Sequence, residues 1–460
     1  MEKKLSEALS YKKKSVYEAA DADRIGAAMA YSEDYKKYLD SSKTEREAVK
    51  TSIALAEKFG YTEYSLGDKI SAGDKKYYNN RGKNLYLFSV GSEPINNGIR
   101  ITAAHIDAPR IDLKQCPLYE DEGMAFFKTH YYGGIRKYQW LATPLSLHGV
   151  VARPDGSVVD ICVGEDDTDP IFYITDLLPH LAHKQGRAPI DEAIDGEKLN
   201  ILVGSAPYEE DGDRSIKLNV LRLLNEKYGI TEEDFLSAEL SLVPSAKARD
   251  VGFDRALIGA YGHDDRVCAY PALTALLEAN DSIHTNLCIL ADKEETGSDG
   301  NSGMQCELML DIINEIAANL GGNPALVRAN SKCLSADVSA AYDPNFSDVY
   351  EKKNAAILSS GVVLTKFTGA RGKSSTNDAS AEFIGFLRSI FAKENVVWQT
   401  AELGKVDCGG GGTVAKYIAK HNIDTVDLGV GVISMHAPYE VIAKVDLYEA
   451  YKAMLAFYKY

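Results

Sequence analysis

Apolar positions recur at helical spacing through residues 11–60, most clearly in EAVKTSIALAEKF at 47–59, and Gly60 stands where such a helix would stop. The period then drops to two. Tyr77 and Tyr78 lead into a turn at 80–82, residues 84–90 read as the returning strand of a hairpin, and GIRITAA at 98–104 reads as a strand running directly into His105. Between about 116 and 245, strand-like runs such as LHGVVA and GSVVDICVG alternate with turns (154–156), and the acidic loop 209–213 interrupts them. From Phe253 onward, helical and extended runs take turns: helical at 267–279 and 304–320, extended at 286–291 and 426–434. Such alternation predicts an α/β fold, a mixed or largely parallel sheet flanked by helices, with chemistry placed where loops leave the strand ends. The change of character predicts a discontinuous main domain, 1–115 plus 246–460, interrupted by a smaller β-rich domain at 116–245.

At 460 residues the chain is long enough for two or three cores, in keeping with that division. Acidic residues outnumber basic ones 67 to 51, which argues against an electrostatic footprint for nucleic acid or an anionic membrane surface. No run of about 18 apolar residues and no apolar signal core is present, which points to the cytoplasm. Seven cysteines without a CxxC pair read as reduced thiols.

Four segments place metal-ligating side chains directly after strand-like runs. In the first, His105-x-Asp107, an extended chain points both side chains the same way, so Asp107 can hold one ring nitrogen while the other binds a cation. A lone H-x-D is common and carries little. In the second, YGHDDR at 261–266, a carboxylate can bridge two cations with its two oxygens, which an imidazole cannot do. Asp264 is the candidate and Asp265 the alternative, against the plainer reading of acidic caps at a helix start. In the third, DKEETG at 292–297, adjacent carboxylates repel and are costly to bury unless a cation neutralises one and the other exchanges a proton. That divides the labour: Glu295 as ligand, Glu294 as general base. As an exposed acidic turn the same string would mean nothing. The fourth pair, Asp337 in SAD and His436 in ISMH, adds two more ligands at strand ends. His105, Asp264, Glu295, Asp337 and His436 in this order make a set suited to two zinc-like cations. Two glycine-bearing strings fail phosphate-loop templates: CGGGGT at 408–413 lacks the required spacing, and RGKS at 371–374 has Phe367 in the place of the first glycine. Both read as flexible backbone near the active site. His180 and His183, lacking a third ligand, read as surface helix residues.

The strings HIDAPRIDLK (105–114), GHDDRVCAY (262–270), DKEETGSDG (292–300), SADVSAAYDPNF (335–346) and LGVGVISMHAPYE (428–440) resemble the M18 metallo-aminopeptidases, the family of aspartyl aminopeptidase and aminopeptidase I. The resemblance spans about 77–440. HDDR is also similar to the M42 aminopeptidases, but SMHAPYE, and SAD followed by DPNF, favour M18. The resemblance implies a zinc-aminopeptidase-like catalytic domain that removes N-terminal residues from peptide substrates. One cation would sit between His105, Asp264 and Asp337, and a second between Asp264, Glu295 and His436. Glu294 would act on water and Asp107 would orient His105. It further implies two divalent cations, zinc with cobalt or manganese as alternatives, an insert serving as lid and oligomerisation domain, and a homo-oligomer as large as a dodecamer. Lys366 and Arg371 in KFTGARGK match a family lysine and an arginine-bearing loop, and so become implied substrate contacts. Ala340 and Asp343 stand where many aspartyl aminopeptidases carry histidines, and WLATPL at 140–145 lacks the acid and base of the family's lid segment. A preference for N-terminal Asp or Glu is therefore not carried over. An M42- or M20-like hydrolase of blocked peptides, and a catalytically silent assembly protein, remain as alternatives; retention of Glu294 stands against the second.

Overall fold

The computed structural model describes Leu5 and residues 9–280, 282–369 and 371–460. Its largest sheet has nine strands, ordered Thr62–Glu63, Lys75–Asn80, Asn84–Ser89, Thr285–Ala291, Ile99–His105, Lys332–Ala336, Asp424–Gly429, Val362–Thr365 and Trp398–Thr400. The four strands from Thr285–Ala291 to Asp424–Gly429 run parallel, and Asn84–Ser89 and Val362–Thr365 flank them antiparallel. The sheet is thus mixed, as the alternation predicts. Every residue of Ile99–His105 and of Thr285–Ala291 is buried, because helices cover both faces and leave no polar side. Ile99, Ile101 and Ala103 join the core under helix Leu308–Asn319, while Ala104 faces the core of helices His263–Glu278 and Lys444–Lys459. The parallel register sets His105 opposite Ala291, so these strands end along one edge, where the site forms.

A second sheet, entirely antiparallel, contains Val158–Val163, Leu145–Ala152, Ala238–Pro244, Arg110–Asp121, Met124–Tyr132, Ile201–Gly204 and Tyr173–Ile174. Helix Ile216–Tyr228 packs on it over a core that includes Phe127, Trp140 and Leu240. A third, small sheet brings together Arg249–Val251, Leu257–Ala260, Glu440–Ala443, Gly431–Ile433 and Ser339–Ala340.

Three expectations need correction. The extended run at 426–434 is not one strand: Asp424–Gly429 belongs to the nine-stranded sheet and Gly431–Ile433 to the small one. The chain parts there because Gly429 lies against Asp337; a Cβ at Gly429 would come 1.8 Å from the Asp337 carbonyl oxygen. The helix expected at 304–320 begins only at Leu308, since the preceding loop folds back so closely that a Cβ on Gly303 would sit 2.2 Å from the Ser298 carbonyl. His180 and His183 are exposed but lie in a turn, not a helix. All seven cysteines are free.

His148, buried on Leu145–Ala152, ties the second sheet to helix Glu45–Lys58. Its Nδ1 is 2.7 Å from Glu47 and its Nε2 3.1 Å from Glu165, which also pairs with Lys43 and Lys247. Burial opposes a charged imidazole here, but contacts with Cys162, Glu165 and Glu47 outweigh it and push the pKa up to about 11 from an ordinary 6.5. Because the folded value lies above the unfolded one, the stabilisation is full below about pH 6.5 and disappears as pH rises through about 11. Thermal melting of the wild type should therefore fall more steeply over that window than melting of His148→Gln. Parallel profiles would show that the imidazole does not carry this linkage.

Candidate metal centre

Each chemical group reaches the site from the end of a strand. His105 closes Ile99–His105, Asp337 follows Lys332–Ala336, and Glu294 and Glu295 occupy the single turn Glu294–Thr296 just beyond Thr285–Ala291. That turn opens with Lys293 at φ 70° and closes with Gly297 at φ 95°, two left-handed residues that reverse the chain tightly. Asp107 clasps it: its carboxylate accepts from the Glu294 and Glu295 amides, both at 3.2 Å, and from the Tyr132 hydroxyl at 2.7 Å. Asp264 and His436 come from the small sheet. Gly262 ends the strand side of the Asp264 corner at φ 76°, and its missing Cβ leaves room for the Arg266 guanidinium, which would otherwise be met at 1.9 Å. His436 itself adopts φ 64°. Buried Glu440 staples these two segments, accepting from the Asp264 amide at 3.0 Å and the His436 amide at 2.8 Å.

The two imidazoles are held alike. His105 Nδ1 lies 3.0 Å from the Asp107 carbonyl and His436 Nδ1 lies 2.9 Å from the Gly134 carbonyl. A carbonyl only accepts, so each Nδ1 carries the proton and donates it. Each Nε2 is thereby turned inward, and the two face opposite oxygens of one carboxylate: His105 Nε2 is 3.2 Å from Asp264 Oδ1 and His436 Nε2 is 3.2 Å from Asp264 Oδ2. Asp337 lies 3.8 Å from His105 Nε2, Glu294 lies 4.0 Å from it, and Glu295 lies 3.6 Å from His436 Nε2. An Nε2 facing a carboxylate oxygen at that distance calls for positive charge between them, supplied by a proton, which the raised pKa of both His105 and His436 favours, or by a bound cation that takes the proton's place.

Buried charge makes the same point. Asp264 Oδ1, Glu295 Oε1 and both oxygens of Asp265 are buried without a hydrogen bond. Leaving such oxygens unpaired costs several kcal/mol each if they are ionised. Burial, with further help from Asp337, Asp107 and Asp264, pushes Glu294 up to about 8 against the pull of His105. Burial and the Asp264 charge push Glu440 to about 8, and burial raises Asp265, Glu295 and Asp337 as well. For Asp264 burial acts upward too, but His105 and His436 together hold it below the usual carboxylate range. The donor set of imidazole and carboxylate, with orphaned oxygens pointing inward, suits zinc or a similar divalent cation. At this centre two triads have their donor atoms within 4.8 Å of one another: His105, Asp264 and Glu295, and His105, Asp265 and Asp337.

The centre opens into a cleft of about 480 Å³, walled on the far side by Thr365, Thr368, Gly411, Gly412 and Thr413. The fold, this donor set and the sequence agree with comparison to known proteins: residues 38–458 match the family described as aminopeptidase I zinc metalloprotease, M18. The chain belongs to the M18 family. A probable M18 family aminopeptidase 1 from Clostridium acetobutylicum is 48% identical over 453 residues, covering 96% of this chain and 97% of that protein. The crystal structure of an M18 aminopeptidase from Thermotoga maritima superposes with a TM-score of 0.93 at 43% identity, covering 98% of this chain and 100% of the other. The Saccharomyces cerevisiae mApe1 dodecamer shares the fold, with a TM-score of 0.78 at 20% identity over 95% of this chain and 97% of the other. Membership makes this chain a metallo-aminopeptidase.

In this M18 chain the residues read from sequence assemble unevenly. His105, Asp107, Asp264, Glu294, Glu295, Asp337 and His436 all meet at one strand edge. Asp265, the alternative to Asp264, is fully buried beside His105 and Asp337. Lys366 is engaged by Asp378, which also holds Lys373 at 3.0 Å, and Arg371 is exposed; neither lines the cleft. The glycine-rich run does reach it, through Gly411 and Gly412. Glu440, Tyr132 and Gly134 support the centre and went unread. Glu440 ends a quoted string with nothing in its spacing to mark it, and Tyr132 and Gly134 arrive from the second sheet, outside every local motif.

Proposed function

We propose that this M18 enzyme hydrolyses the first peptide bond of peptides carrying a free N-terminus, using two divalent cations. His105, Asp264 and Asp337 would hold one, Asp264, Glu295 and His436 the other, and zinc is the metal the family description names, with cobalt or manganese as alternatives. The reading is carried by one observation: Asp264 presents its two oxygens to two inward-turned Nε2 atoms, each at 3.2 Å. When bound, such cations lower the pKa of a water and polarise the scissile carbonyl. The remaining work falls to the protein. Asp107 fixes the His105 ring and the Glu294–Thr296 turn at once, so ligand and base keep a constant relation. Both glutamates line the cleft, but Glu294 has 19% of its side chain exposed against 3% for Glu295 and is the more open to an incoming water. Glu294 takes a proton from the attacking water and returns it to the leaving amine, a role its place on the cleft wall allows.

Lys366 and Arg371 would meet a substrate only at the rim, on the segment running outward from cleft-lining Thr365. The unit built on the second sheet, with exposed Leu177, Leu178 and Leu181, is the part we assign to covering the cleft and to assembly as a homo-oligomer. The test is a panel of aminoacyl arylamides, each with a free or an acetylated amine. Hydrolysis confined to the free-amine series is expected; cleavage of the acetylated series alone would replace this reading with a hydrolase of blocked peptides.

A further inference from the structure

The charged side chains lining the cleft are Asp264, Glu294, Glu295, Asp337, His436 and Lys416. His436 is committed to Asp264 and to the Gly134 carbonyl. Lys416 is committed to nothing of opposite sign: among the described residues it has no carboxylate partner, although it is half-buried. Every other lysine or arginine considered for substrate contact differs in this respect, since Lys366 is already satisfied by Asp378 and Arg371 stands in solvent.

The ammonium of Lys416 is also placed rather than loose. Its Nζ lies 4.8 Å from the Tyr417 ring centroid, and the Tyr417 hydroxyl donates to the Gly297 carbonyl at 3.2 Å, on the turn that carries Glu294. Gly412 leaves it room, because a Cβ there would come 2.7 Å from Nζ. The segment just before it is pinned to the large sheet, where the Thr413 hydroxyl donates to buried Asp427 at 2.6 Å. A half-buried cation held at one wall of an otherwise acidic cleft is short of one anion. Burying a charge without a partner is unfavourable, and a carboxylate arriving with the substrate would relieve it through a charge-assisted hydrogen bond.

We propose that Lys416 is a specificity residue that binds a carboxylate of the substrate, either the side chain of an acidic N-terminal residue or the C-terminal carboxylate of a short peptide. This rests on the aminopeptidase reading above. Among the described side chains lining the cleft Lys416 is the one ammonium such a carboxylate can meet, so the lysine sets how well these substrates are taken.

Two substrate pairs separate the sources: glutamyl against glutaminyl arylamide, and Leu-Gly-Gly against its C-terminal amide. For each pair the ratio of kcat/KM, acid over neutral, is measured on wild type, Lys416→Met, Lys416→Gln and Lys416→Arg. In Met and Gln variants the ratio should fall about 10- to 100-fold for one pair and recover at least partly with Arg. The pair that responds names the carboxylate. Ratios that stay at the wild-type value for both pairs in both neutral variants would overturn the assignment while leaving the aminopeptidase reading intact. Failure of the wild type to cleave any of the four substrates would instead overturn the aminopeptidase reading, and this inference with it.

Discussion

Replacing Glu294 by Gln should lower kcat by about a hundred- to ten-thousandfold while metal content stays at the wild-type level. The expectation follows from where the side chain stands. Glu294 is 4.0 Å from His105 Nε2, further out than Asp264 or Asp337, and is the more exposed carboxylate of the 294–295 pair. An amide of the same shape keeps the turn, whose amides Asp107 holds, but cannot accept a proton from water. KM should change far less than kcat, since the lost step belongs to the transition state. If Glu294→Gln kept wild-type kcat on a free-amine arylamide, the proton would have to be handled elsewhere. If it lost its metal together with its activity, Glu294 would be a ligand and not the base.

Replacing Asp264 by Asn should do more damage, and of a different kind. One carboxylate faces both imidazoles, so a single substitution removes an anionic oxygen from each side of the centre. The amide is uncharged and can present only one acceptor, while His105, Asp337, Glu295 and His436 remain converged on the same small space. Losing cation-assisted catalysis removes several kcal/mol of transition-state stabilisation, a fall of about a thousandfold or more. Stability should report the same loss. A ligand that binds only the folded chain raises its melting temperature, so a chelator should lower that of the wild type and barely move that of Asp264→Asn. The Asp264 backbone amide, held by Glu440 at 3.0 Å, is untouched by the substitution, so the local backbone keeps this anchor in the variant.

How much of this was legible in the sequence varied with the range of the interactions. The strand ending at His105 and the strand before Asp292 were readable, because strands covered on both faces are predominantly apolar and short, with few polar residues such as Arg100, Thr102 and Asn286 breaking the run. The ligands were readable because each follows such a run within a few residues. What local pattern could not convey was closeness between distant segments. Nothing in VDLGVGVIS shows that Gly429 must pass against the Asp337 carbonyl and that the run therefore divides between two sheets. Asp107 was read as holding His105 through its side chain, whereas its backbone carbonyl makes the 3.0 Å contact with Nδ1 and its carboxylate, 3.4 Å from that nitrogen, takes the Glu294 and Glu295 amides, nearly two hundred residues away in sequence. Lys416 has no motif around it; its interest lies in the absence of a partner, which only the packed chain reveals. Lys366 was read by resemblance, and the structure pairs it with Asp378.

The central claim is that one carboxylate, Asp264, is shared by two cations. The most direct measurement is the metal content per chain of wild type and Asp264→Asn, loaded with zinc, passed through the same desalting step and read by plasma mass spectrometry. The account predicts two equivalents in the wild type and less than one in the variant, because both positions lose an anionic ligand together. A wild type that saturates at one equivalent, or an Asp264→Asn protein that still carries two, would contradict it.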